Sequence, residues 1–128
     1  MNVVERAKEG YGRNAVPIKS HRAAEYEAIA RISHRLRSTA MNRKNRYGEF
    51  AEALHENSKL WSTLAMDVAH PDNGLPKDLR ARIFWLAEFT EQETRRILKN
   101  EGDVAILIEV NAAVLHGLRG QESQKETS

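Results

Sequence analysis

The sequence predicts an all-α fold: a single small domain of four main helices, arranged as an antiparallel bundle or as an orthogonal array. Apolar residues recur every three or four positions along four stretches of the chain, which is the helical period. No stretch alternates apolar and polar residues as a half-buried strand does. Short connectors join the four stretches, and short connectors place successive helices side by side. A chain of 128 residues is long enough to bury one core.

The first two predicted helices each carry one apolar face. The first begins near Ser20, a residue type that caps helix N-termini, and runs to about Thr39. Its apolar stripe consists of Tyr26, Ile29, Ile32, Leu36 and Ala40. The second helix covers roughly residues 46 to 69. Its apolar face consists of Tyr47, Phe50, Ala51, Leu54, Trp61, Leu64, Ala65 and Val68.

The strongest break in the sequence is the turn at residues 70–74, His-Pro-Asp-Asn-Gly. Pro71 does not continue a helix easily, and Asn73-Gly74 can take the positive φ values of a tight reversal. Pro76 then suits the first turn of a third helix, where its missing N–H needs no partner. That helix extends to about Leu98. Its inward stripe consists of Leu79, Ile83, Leu86, Thr90 and Ile97.

A fourth predicted helix runs from about Asp103 to Leu118, after a break at residues 100–102. Its inward residues are Val104, Leu107, Ile108, Val114, Leu115 and Leu118. Residues 1–19 read as an N-terminal arm with a short helix over 1–9, and residues 20–120 as the helical domain. Residues 121–128 have no apolar anchor, so we expect a disordered tail.

The composition argues against several classes of function. The absence of cysteine removes disulfides, thiolate zinc sites and cysteine nucleophiles, and it suits a reducing cytosol. No apolar run approaches the roughly 20 residues of a membrane span, and no secretory signal is recognisable, so we expect a cytoplasmic protein without a membrane partner. The five histidines form no chelating pair, and no phosphate-binding loop or nucleophile elbow occurs. The sequence therefore predicts no enzyme, no catalytic residue, no metal or other cofactor, and no small-molecule substrate.

The third and fourth helices are more apolar than one inward stripe requires. Where Ile83 and Leu86 face the core, Phe84 points to a second side and Trp85 and Phe89 share a third. The fourth helix repeats this pattern, with a second apolar side formed by Ile106, Val110 and Ala113. A helix that is apolar on several sides is either central in its own domain or covered by a partner. Both helices cannot easily be central in so small a domain, so we expect at least one to accept an amphipathic helix.

Two asparagines interrupt otherwise apolar stripes. Asn57 precedes Trp61 on the second helix, and Asn111 lies in the middle of the fourth. A buried amide left unpaired costs roughly 1–3 kcal/mol. Either the two amides bond to each other or to backbone and fix the register of their helices, or they line a groove and bond to a guest helix. The candidate partner-binding residues are therefore Asn57, Trp61, Phe84, Trp85, Phe89 and Asn111.

A basic segment covers residues 31–46, where no acidic residue occurs. Its candidate nucleic-acid contacts are Arg35, Arg37, Arg43, Lys44 and Arg46. Such a segment can attract RNA or an acidic protein. It also straddles a helix end, where solvated basic residues are common, and it lacks the aromatic interleaving of single-strand binders.

Several motifs occur in order within residues 53–90: Leu54-His55-Glu56-Asn57, Leu60-Trp61, Leu64-Ala65, Asp67-Val68-Ala69, Asn73, Leu75-Pro76, Leu79-Arg80-Ala81-Arg82 and Leu86-Ala87-Glu88-Phe89-Thr90. A later set is Asn111 with Gly117-Leu118-Arg119-Gly120. With these motifs the chain resembles the flagellar biosynthesis regulator FlaF over most of residues 11–120. It departs from that pattern after Thr90, where Glu91-Gln92-Glu93 stands in place of a nearby histidine-serine pair, and at Leu115-His116.

The resemblance implies a cytoplasmic, non-catalytic regulator that acts after transcription, promotes flagellin synthesis or secretion, and opposes the regulator FlbT. Flagellin is the implied ligand, because its terminal segments are amphipathic helices that stay unpaired until the filament assembles. A contact of the basic segment with flagellin messenger RNA is the alternative, and FlbT is a further candidate partner.

Overall fold

A computed structural model of the chain describes residues 21–127, and it defines side-chain burial for residues 23–120. The helices are α1 (His21–Met41), α2 (Tyr47–Ala69), α3 (Lys77–Leu98) and α4 (Val104–Thr127). Residues 21–127 contain no strand, so the all-α prediction is confirmed. The predicted arm, its short helix and the proposed cap at Ser20 lie outside the described residues.

The four helices form a ring, in which α1 packs against α2 and α4, and α3 packs against the same two helices. Two apolar clusters fill the interior. One cluster consists of Leu36, Phe50, Ala53, Leu54, Ile97, Val104 and Leu107. The other consists of Ile29, Trp61, Leu64, Val68, Leu75, Ile83, Ala87, Val114 and Leu118. The first cluster joins the C-terminal halves of α1 and α3 to the N-terminal halves of α2 and α4, and the second joins the opposite halves. Neighbouring helices therefore run in opposite directions, as the predicted antiparallel bundle requires.

The centres of the predicted apolar stripes lie inside the bundle, but Tyr47, predicted on the inward face of α2, is 47% exposed at the start of that helix. Ile29, Leu36, Leu54, Ile83 and Leu107 are at most 1% exposed. Burying one such side chain stabilises the fold by about 1.5–3 kcal/mol. The stripes therefore supply most of the driving force that holds the four helices together.

The connection between α2 and α3 is held by side chains. The guanidinium of Arg80 donates through Nε to the carbonyl of Val68 (2.9 Å) and through Nη2 to that of His70 (2.8 Å). These bonds satisfy carbonyls that the end of α2 leaves without helical partners. The Leu75 amide donates to Oδ1 of Asn73 (3.0 Å). Neither residue of the Asn73-Gly74 pair takes a positive φ, so that expectation is wrong. The asparagine side chain bends the backbone instead.

Two further boundaries concern α3 and α4. Asn100 takes a left-handed φ of 63° just beyond α3, and the Glu101 amide donates to the carbonyl of Arg96 (2.8 Å). This is the hydrogen-bonded reversal that ends many helices, and it confirms the predicted break. At the other end, α4 continues past Gly120 to Thr127, whereas the sequence predicted disorder from residue 121. Glutamine, glutamate and lysine dominate this stretch, and they favour helix without needing an apolar anchor.

None of the helices described over residues 21–127 is long and apolar enough to cross a lipid bilayer.

Candidate functional site

A layer of polar side chains crosses the middle of the bundle, between the two apolar clusters. Nε1 of Trp61 donates to Oδ1 of Asn111 (2.8 Å). Nδ2 of Asn111 donates to Oγ of Ser33 (2.9 Å) and to Oδ1 of Asn57 (2.8 Å). All four residues are buried, and both asparagines are 0% exposed. The interpretation that the two asparagines bond to each other is therefore confirmed.

Thr90 of α3 is also buried, and it lines the same depression as Trp61. Its Oγ1 and Nδ2 of Asn57 are both buried without a hydrogen-bond partner among the described residues. Asn111 is the centre of the network, because it makes three side-chain hydrogen bonds while Asn57 makes one.

Three of the candidate partner-binding residues thus belong to the interior. Asn57, Trp61 and Asn111 are at most 1% exposed. A partner that docks on the folded bundle finds no accessible surface at these side chains. These three side chains therefore belong to the internal packing of α2 and α4.

The other three candidates are aromatic residues of α3, and they lie on two different flanks of that helix. Phe84 is 46% exposed and lines a depression together with α2. Trp85 is 62% exposed and stacks on half-buried Phe89, with ring centroids 5.7 Å apart. At about 100° per residue, Phe89 lies roughly 140° around the helix from Phe84 and about 40° from Glu93. Glu93 contacts the start of α4, so Phe89 lies toward α4, while Trp85 lies about 80° from Glu93 and points further toward solvent.

The flank of α4 that faces α3 is also apolar. Leu79 of α3 reaches within 3.6 Å of the position a Cβ on Gly117 would occupy. Helical spacing places Ala113 and Val110 on the same side of α4 as Gly117. Val110 packs on the core while remaining half-buried, and Ala113 is exposed. We call this surface the α3–α4 seam, formed by Trp85, Phe89, Ile106, Val110 and Ala113.

A second apolar surface, the α2–α3 groove, lies on the opposite flank of α3. It consists of two depressions of about 290 and 400 Å³ that share Phe84. Its α2 wall is built from small side chains, which leave room above them: Ser58, Ser62, Ala65 and Ala69. Its α3 wall contains the apolar residues Ala81, Phe84, Ala87 and Leu98 and the threonines Thr90 and Thr94. The charged residues that also line it are Lys77, Arg80, Glu88, Glu91 and Arg95.

Glu93 fixes the start of α4 against α3. Glu88, Glu91 and Glu93 beside Arg95 and Arg96 are a pattern typical of a solvated helix face, but Glu93 is only 3% exposed. Its Oε2 accepts from the Asp103 amide (2.8 Å), and its Oε1 accepts from the Arg96 guanidinium (3.0 Å). The carboxylate thus satisfies a backbone N–H next to the N-terminus of α4, where negative charge is favourable.

The basic segment is partly neutralised by α2. Arg35 pairs with Glu56 and with Glu52 (3.2 Å), and its hydrogen bond with Glu56 raises the pKa of Arg35 above its ordinary value. Arg46 lies 3.7 Å from Glu49. The remaining candidates, Arg37, Arg43 and Lys44, are exposed near the α1–α2 connection, and the Arg43 guanidinium lies over the Phe50 ring at 5.8 Å. The structure thus places the five residues together at one end of the bundle, with two of them engaged by carboxylates.

Within the described residues, no group of three or more histidine, cysteine, aspartate or glutamate side chains is arranged to hold a metal ion. The candidate surfaces considered for function in this part of the chain are two apolar surfaces and one basic region.

A family model described as "Flagellar protein FlaF" matches residues 7–118 of the chain. The matched range ends at Leu118, a buried core residue of α4, so it takes in the packed part of the bundle. No curated protein sequence and no solved structure matches the chain.

Proposed function

The chain belongs to the FlaF family of flagellar proteins, and from this membership we propose that it is a non-enzymatic regulator of flagellin synthesis or secretion that binds an amphipathic helix of flagellin on the α3–α4 seam. The single observation that carries the binding mode is the exposed Trp85–Phe89 stack. Bound there, the helix is shielded from other apolar surfaces before export, as a chaperone shields its client.

The shape of the seam supports a helical ligand. Trp85 and Phe89 lie one helical turn apart and stack as an aromatic ridge on α3, and the flank of α4 that faces α3 carries Val110 and Ala113. A guest helix with apolar residues at i, i+3, i+4 and i+7 can lie along such a ridge. Exposed tryptophan is also the residue type that most often dominates binding energy at protein interfaces.

The test measures flagellin binding by calorimetry with the full chain. Trp85→Ala is expected to weaken binding by about thirtyfold, which corresponds to about 2 kcal/mol, because a central tryptophan anchor is lost. Phe89→Ala should weaken it in the same direction. Met41→Ala is the matched control: Met41 is 81% exposed at the end of α1, a helix that contributes no residue to the seam, and its loss should leave the affinity unchanged.

Flagellin truncated to remove its terminal helices supplies the second arm of the test. We expect the truncated protein not to bind. Equal binding of intact and truncated flagellin would show that the ligand is not a terminal helix. Normal affinity in well-folded Trp85→Ala and Phe89→Ala variants would show that the seam is not the docking surface.

Direct binding of flagellin messenger RNA by the basic segment remains the alternative, favoured by the exposure of Arg37, Arg43 and Lys44. Phosphate contacts release counterions, so RNA affinity should fall steeply as salt rises, while docking on the apolar seam should persist in moderate salt. A gel-shift titration of the flagellin leader against an unrelated RNA separates the two. Equal affinity for both RNAs removes the alternative.

A further inference from the structure

We propose that the α2–α3 groove is an interface between two copies of this chain, which pack against each other about a two-fold axis at Phe84. The proposal goes beyond flagellin binding and does not depend on it. In such a dimer the α3–α4 seam, on the other flank of α3, stays open to a different partner. Three observations support a second copy as the occupant: the shape of the groove, its exposed apolar side chains, and the order of the charges along α3.

The groove carries both a projecting ring and the depressions that can receive one. Phe84 is 46% exposed and lines both depressions, so it lies between them. The wall beside it is formed by small side chains of α2, among them Ser62, Ala65 and Ala69. A two-fold dimer requires a surface that is complementary to itself. The ring of one copy can fill a depression beside the same ring of the other copy, so this surface meets the requirement.

Large apolar side chains are exposed on the same flank. Leu98, in the α3 wall, is 47% exposed. Met66 is 75% exposed, and it lies only about 40° around α2 from Ser62, one turn further along the helix. A second copy that covers the groove removes these side chains from water together with Phe84, and this burial favours association.

The charges along α3 have the order that a two-fold axis at Phe84 would pair. Lys77, Phe84 and Glu91 follow one another at intervals of seven residues, or nearly two full turns, so all three lie on the groove side. An antiparallel α3 from the second copy, centred on the same phenylalanine, places Lys77 of each copy opposite Glu91 of the other. It likewise places Arg80 opposite Glu88. Opposite charges therefore meet at four positions, which fixes the register of the two helices.

The contacts that these charges make within one chain are compatible with the pairing. Glu91 pairs with Arg95 on its own helix at 2.8 Å, but both side chains are largely exposed, and such a pair contributes little. Arg95 itself lies one turn beyond the paired stretch. Arg80 donates to two carbonyls at the end of α2, which hold it in place. Lys77 is exposed at the first residue of α3, so Lys77 and Glu91 are the pair to test.

Charge reversal tests the pairing, with the dissociation constant of the dimer measured by sedimentation equilibrium of the full chain. Lys77→Glu alone places like charges opposite each other at both symmetric positions, and Glu91→Lys alone does the same. Each variant should raise the dissociation constant at least about tenfold at low salt. An equimolar mixture of the two variants should dimerise again, because a mixed dimer has opposite charges at both positions. Restored contacts within one copy cannot explain this rescue, since the two residues lie about 21 Å apart along α3.

Gln92→Lys is the matched control, because exposed Gln92 follows Glu91 directly but points about 100° further around α3, away from the groove. It should leave the dissociation constant unchanged. Phe84→Asp should raise the constant about a hundredfold, because carboxylates would replace both rings at the axis.

Three results would overturn the proposal. A wild-type chain that sediments as a monomer at every concentration would leave the groove to a different protein. A dimer that Phe84→Asp does not weaken would use another surface, and a mixture of the two charge variants that stays monomeric would exclude this register. Flagellin is absent from the experiment, so failure here leaves the proposed function standing, and failure of flagellin binding leaves the dimer standing.

Discussion

Asn111→Leu is expected to lower the free energy of unfolding by about 3 kcal/mol or more, although leucine nearly matches asparagine in volume. The substitution removes three hydrogen bonds at once. It leaves Nε1 of Trp61, a buried donor, without an acceptor, and it leaves the oxygens of Ser33 and Asn57 facing an apolar side chain. Each buried polar group without a partner costs roughly 1–3 kcal/mol. The loss is a large fraction of the roughly 5–15 kcal/mol that stabilises an ordinary domain.

Asn57→Leu is the matched control. Asn57 is equally buried, but it accepts only one hydrogen bond and its Nδ2 has no partner among the described residues. Asn111 still reaches Ser33 after that change, so the cost should be much smaller, about 1 kcal/mol or less. Urea unfolding followed by circular dichroism compares the two variants. If they unfold at the same urea concentration, Asn111 is not the centre of the layer.

Helical periodicity explains why most of the fold could be predicted. Ile29, Leu36, Leu54 and Ile83 were assigned to inward stripes, and all four are buried. Ser33 was not predicted as a buried residue from the sequence. Its position between Ile29 and Leu36 places it on the α1 stripe, and this spacing could have indicated that it faces the interior. A polar residue at a stripe position is either exposed at the edge or part of a buried network, and only the position of Asn111 on another helix decides which.

Glu93 shows where sequence reasoning fails. It lies three residues after Thr90 and four before Ile97, so its spacing placed it near the inward stripe, yet its charge suggested exposure. The partner that makes burial acceptable is the Asp103 amide at the start of α4. The side-chain pattern of α3 does not indicate where the backbone N–H groups at the start of a later helix will lie. The same reason explains the Asn73-Gly74 turn, where a side-chain bond to Leu75 replaced the expected positive φ.

The candidate site was predictable in part. The sequence separated Phe84 from Trp85 and Phe89 by helical geometry, and the structure places them on the two flanks of α3 accordingly. Periodicity could not say which helix lies beside each flank, because that depends on the order of the helices around the bundle. It therefore could not distinguish the α2–α3 groove from the α3–α4 seam.

Gly102→Ala should destabilise the protein by about 2–3 kcal/mol, in the range of strongly overpacked sites. A Cβ at Gly102 would lie 2.6 Å from Oε2 of Glu93, 2.8 Å from the backbone nitrogen of Ile97 and 2.9 Å from Cγ1 of Ile97. Glycine is needed here for close approach, since none of the glycines within the described residues has a positive φ. Moving the carboxylate away would break its bond to the Asp103 amide, and the backbone of α3 cannot move independently of its helix.

Gly48→Ala is the control for this change, because nothing lies within 4 Å of the Cβ it would add and Gly48 is within α2. Alanine favours helix over glycine, so this variant should be as stable as wild type or more stable by up to about 1 kcal/mol. Adding Glu93→Ala to Gly102→Ala should rescue little, since the contact with the Ile97 backbone remains. Because this connection sets α4 against α3, Gly102→Ala should also weaken the flagellin binding that we propose for the seam. A Gly102→Ala protein as stable as Gly48→Ala would mean that the connection is free to move and does not fix the seam.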